Sequence, residues 1–105
     1  MSPEQQEILR IKVNMETSRI YWKELQRFFA SGVAIVVNLK LDLIDVALQM
    51  HCDNKVQIET WMSAGEIAKV SDIQAAIWLE SNSEVWAVVI SPWVLVQVKE
   101  LNILH

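Results

Sequence analysis

The chain has 105 residues, 52% of them hydrophobic, a formal net charge of −4, and nine basic residues scattered along its length. That length supports one hydrophobic core, and that composition excludes intrinsic disorder. The scattered charge offers no track for successive phosphates or for an anionic membrane surface.

The first ten residues, Met1 to Arg10, are polar and acidic. They lack the basic and apolar segments of a secretory signal, so no export is expected. Ser2, Pro3 and Gln5 have the chemistry of a helix start: a serine cap, proline at the first helical position, and glutamine at the third. In the helix that follows, Ile8, Ile11 and Met15 stack on one side with Leu9 and Val13 beside them, while Glu7, Arg10, Lys12 and Asn14 keep the other side wet. A second helical set, Tyr21, Trp22, Leu25, Phe28 and Phe29, follows Thr17 and Ser18 and stops at Gly32. The spacing fits one long helix or two.

Val33 to Val37 is an apolar run directly after a glycine, the pattern of a strand buried on both faces. Asp42 can cap a helix carrying Leu43, Val46, Ala47 and Met50. Asp53 can cap another carrying Ile58, Trp61 and Met62 before Gly65. Glu66 to Val70 reads as a weak strand, and Ser71 with Gln74 repeats the capping box ahead of a last helix marked by Ile73, Ala76, Ile77 and Leu79. Val85 to Ile90 carries the strongest strand pattern. Trp93 to Lys99 alternates, with Val94, Val96 and Val98 on one face and Gln97 and Lys99 on the other. Ser91 and Pro92 between them fit either a turn, which as a two-residue hairpin would favour a cis proline, or a bend in one strand. The apolar stretch Val85 to Val98 is shorter than the ~20 residues of a membrane helix and is rich in β-branched residues.

The chemistry-bearing residues point away from an enzyme. Cys52 is the single cysteine, cannot close a bridge within the chain, and suits a reducing, cytoplasmic setting. His51, Cys52 and Asp53 are adjacent, so on a helix they point about 100° apart and cannot face one metal ion. No metal site and no cofactor is expected. With only two glycines, Gly32 and Gly65, a glycine-rich phosphate loop is ruled out. Among the carboxylates, Asp42 and Asp45 form the one close pair, and Asp42 reads as a cap. Of the five tryptophans, Trp22, Trp61 and Trp86 are expected in the core and Trp93, beside Pro92, partly exposed.

The segments Glu16–Thr17, Trp22 to Ala30 and Leu41 to Leu43, and above all Trp86 to Val89 followed by Pro92 to Gln97, resemble a family of small bacterial proteins catalogued as domain of unknown function 2288. Asp72 with Trp78 is similar to the family's spacing, whereas the tail from Val98 to His105 matches no motif. The resemblance implies a bacterial, cytoplasmic domain and brings no catalytic residues with it.

The expected architecture is α+β: one domain over residues 1–105, with a small mixed sheet of three to four strands and four to five helices. Two functions compete. The first is a non-enzymatic interaction module that forms a homodimer or larger assembly through an apolar sheet or C-terminal strand surface around Trp93, Leu95 and Gln97. The second is a small-molecule binder or modest enzyme whose pocket joins Trp22 to Glu16, Glu24 and Asp42. Nucleic acid and membrane are not expected partners.

Overall fold

The computed structural model describes residues 2–98. Ser2 begins helix α1 (Pro3–Glu16) through both halves of the capping box: its hydroxyl accepts from the Gln5 N–H at 3.1 Å, and the Gln5 side chain accepts from the Ser2 N–H at 3.0 Å. The chain then leaves the expected path. Ser18–Tyr21 is a strand, β1, and only after it do a short 3-10 helix (Trp22–Leu25) and helix α2 (Gln26–Ala30) form. The two helical segments are therefore separate. Alternation of Arg19 and Tyr21 with Ser18 and Ile20 suits a strand once a partner is at hand, and Glu84–Ala87 supplies it.

Strand β2 (Ala34–Val37) follows Gly32, whose φ of 75° ends α2 in the left-handed conformation that glycine adopts most readily. Asp42 caps α3 (Leu43–His51), its carboxylate accepting from the Ile44 N–H at 2.9 Å. The next cap differs from expectation by one residue. Asp53 takes a φ of 55° to link α3 to α4 (Lys55–Ser63), and Asn54 accepts from the Gln57 N–H in its place. Strand β3 (Ile67–Lys69) and helix α5 (Asp72–Glu80), with its Ser71–Gln74 capping box, follow the sequence reading. Strands β4 (Glu84–Ile90) and β5 (Trp93–Val98) form a hairpin across Ser91 and Pro92, whose peptide bond is cis.

Among the described residues, five strands join one sheet in the order β1-β4-β5-β2-β3, so the strand count exceeds the expected three to four while the α+β class holds. The β2–β5 pair is parallel and the other three are antiparallel. Because side chains alternate along each strand, the sheet has two apolar sides. One gathers Ala34, Val85, Ala87, Val94 and Val96 under Trp22, Leu25, and Ala75 and Trp78 of α5. The other gathers Ile35, Val37, Val88 and Leu95 under Val13 of α1 and Leu43, Val46 and Ala47 of α3. Its own helices thus cover the sheet centre on both sides. Among the described residues, no helix is long and apolar enough to cross a membrane.

Candidate interaction surface

Helix α1 lies against α3 and the end of β4, and its rotation decides what the molecule shows to its surroundings. At about 100° per residue, Leu9, Arg10 and Val13 share one side, and this is the side that packs. Val13 is buried, Leu9 joins the cluster beneath it, and the Arg10 guanidinium donates to the Asp45 carboxylate on α3. That hydrogen bond raises the Arg10 pKa above its ordinary value, against a small opposing effect of burial. Ile8, Ile11 and Met15 occupy the opposite side and are 67%, 52% and 80% exposed. The stripe that the sequence offered as the packing face is turned outward. Two neighbouring contacts, one apolar and one charged, hold the helix this way round.

Helix α5 repeats the inversion on the other side of the sheet. Ala75 and Trp78 are buried, whereas Ile73, Ile77 and Leu79, which marked the helix in sequence, are exposed. A small residue lets the helix approach closely and the indole fills the space, so these two outcompete a more numerous aliphatic set.

The residues singled out from sequence fall in separate places. Trp22 is wholly enclosed, its ring edge-on to Trp78 at 5.1 Å and to Phe29 at 5.9 Å between centroids, and so cannot meet a ligand. Its indole N–H is buried without a hydrogen-bond partner among the described residues. Glu24 is exposed on the 3-10 helix, Glu16 borders a surface cleft with His51 and Val89, and Asp42 is engaged as the α3 cap. These carboxylates therefore share no pocket with the Trp22 ring. Of the proposed strand surface, Trp93 is partly exposed, but Leu95 has no exposure at all because α3 covers that side of β5. Gln97 is a brace: its amide donates to the Asn38 carbonyl at 3.1 Å and the Leu41 carbonyl at 2.8 Å, tying β5 to the loop before α3. Lys99, placed with it in sequence, lies outside the described residues.

Trp86 corrects the core assignment, at 37% exposure, with the Arg19 guanidinium 5.6 Å from its ring centre. Arg19 is its cross-strand neighbour on β1, so the pairing that makes Ser18–Tyr21 a strand also delivers the cation. Trp61 is half-buried on the α3 side. The residues His51, Cys52 and Asp53 mark the end of α3, where Cys52 is the exposed C-cap.

Residues 8–98 match the family described as Protein of unknown function (DUF2288). The chain is also similar to a solved structure, the NMR solution structure of PA1075 from Pseudomonas aeruginosa. The two are 38% identical over 96% of this chain and 94% of that one, with a TM-score of 0.78. No curated protein matches. With the family matched over nearly all of the sheet and its helices, this chain belongs to the DUF2288 family of proteins of unknown function.

Proposed function

We propose that the chain is a non-enzymatic interaction module of the bacterial cytoplasm that self-associates as a two-fold dimer through the outward side of α1. The observation that carries this reading is the exposure of Ile8, Ile11 and Met15 on a helix whose opposite side is already engaged. The stripe suits a second copy of itself. Two such helices laid antiparallel bring Ile8 of each against Met15 of the other, with Ile11 near the axis, as a two-fold interface requires. The earlier strand surface is set aside, since Leu95 is buried and Gln97 is occupied within its own chain.

Magnitudes favour a weak dimer. Six partly exposed apolar side chains contribute roughly 1.5 kcal/mol each on burial, about 9 kcal/mol in all, against an association cost of about 4–15 kcal/mol. With the smallest of those costs about 5 kcal/mol remains, so association is expected only from about 0.1 mM to about 1 mM. Light scattering coupled to size exclusion across that range is expected to give a mass rising toward twice the chain's 12.1 kDa. Ile11→Glu is expected to hold the mass at the monomer value. A wild-type monomer at the highest concentration, or a variant that associates equally well, would end the reading.

A further inference from the structure

Beneath α4 lies a cavity of about 130 Å³. Ile35 and Ile67 of the sheet, Met50 of α3, Ile58 and the half-exposed Met62 of α4, and Trp93 of β5 line it. It presents no polar surface. Lys69 contributes only its aliphatic stem, because its ammonium is directed toward Gly32, 4.0 Å from where a Cβ there would sit. Water needs two to four polar partners to occupy a cavity, so this space suits an apolar group. A cavity of roughly 150 Å³ lined by aliphatic and aromatic side chains is known to take benzene. Two unbranched methionines in the wall let it adapt to the shape of its occupant.

A more polar cleft neighbours the cavity. Met50, Ile58 and Trp93 also border a wider cleft of about 400 Å³, and that cleft includes Asp53, Lys55 and Glu59. Two carboxylates against one ammonium leave it one charge negative. Among the described residues, neither carboxylate is in an ion pair. Asp53 stands at the left-handed link between α3 and α4, and Glu59 is on the exposed side of α4.

We propose that the α4 cleft binds a small amphiphilic amine, placing an aromatic or compact aliphatic group of about six to eight carbons against Trp93 and the two methionines, with its ammonium head beside Asp53 and Glu59. Trp93 borders both spaces, and an indole face is a favourable neighbour for a cation. This site is separate from the outward side of α1 and does not depend on association.

The test uses two probes of similar shape and opposite charge, 2-phenylethylamine and phenylacetate, titrated into the full chain with labelled methyl groups and followed by NMR at fixed protein concentration. The Met50, Met62, Ile35 and Ile58 methyl signals are expected to shift saturably with the amine, while Met15 on α1 serves as the remote reference. Phenylacetate is expected to bind at least about threefold more weakly, the difference that one exposed charge contact supports. Glu59→Gln, on a solvent-facing position that leaves the fold intact, is expected to narrow that preference. Cavity methyls that move no more than Met15, equal binding of amine and acid, or an unchanged preference in Glu59→Gln would each overturn the proposal.

Discussion

Helices α1 and α3 lie on the same side of the sheet, and they use their apolar residues in opposite ways. In α3, Leu43, Val46 and Ala47 all point inward and are buried. In α1, Val13 alone is fully buried, while Ile8, Ile11 and Met15 face outward. The difference follows from what each helix rests on. Helix α3 lies directly over β4 and β5, so its widest apolar side wins. Helix α1 rests largely on α3, where the Arg10–Asp45 pair and Val13 set its rotation. Apolar content thus identifies a helix that must cover something, and the neighbouring element decides which side does so.

Substitutions can break this comparison. As a reference on the far side of the sheet, Trp22→Ala removes a wholly enclosed indole and is expected to cost about 3–5 kcal/mol of stability in urea unfolding. On the near side, Leu43→Ala in α3 is expected to cost about 2–5 kcal/mol, whereas Ile8→Ala in α1 should stay within about 0.5 kcal/mol under dilute, monomeric conditions. Equal losses at Leu43 and Ile8 would mean that α1 packs the other way round. The smallest effect belongs to Arg10→Gln. An ion pair this exposed contributes at most about 1 kcal/mol, less in high salt. Folding raises the Arg10 pKa, so its contribution is complete at every pH below the unfolded value and is lost only as pH climbs through the folded one. Between about pH 6 and pH 9 the Arg10→Gln difference is accordingly expected to be flat.

Local chemistry was legible in the sequence because its partners lie within four residues. Ser2 with Gln5, Asp42 with the Ile44 N–H, and Ser71 with Gln74 formed as their spacing required. The valine-rich strands were legible too, since β-branched residues declare themselves without a partner. Ser18–Tyr21 was not, because its strand state depends on Glu84–Ala87, distant in sequence, and Tyr21 through Phe29 carries a helix-like spacing of its own. Leu95 misled for a related reason. The alternation of β5 separated it from Val94 and Val96, but helices cover both sides of the sheet, so both sets are buried. Trp93 kept part of its surface, as its place beside Pro92 suggested. The rotation of α1, which creates the candidate surface, rests on contacts with α3 that no local pattern carries.

A mixture of isotope-labelled and unlabelled chains, held at a concentration where association is half complete, allows contacts between copies to be isolated by filtered NMR. If two α1 helices meet antiparallel, cross-peaks should join the Ile8 methyls of one copy to the Met15 methyl of the other. Cross-peaks confined to α5, or arising from Val94 and Leu95 of the sheet, would contradict the account.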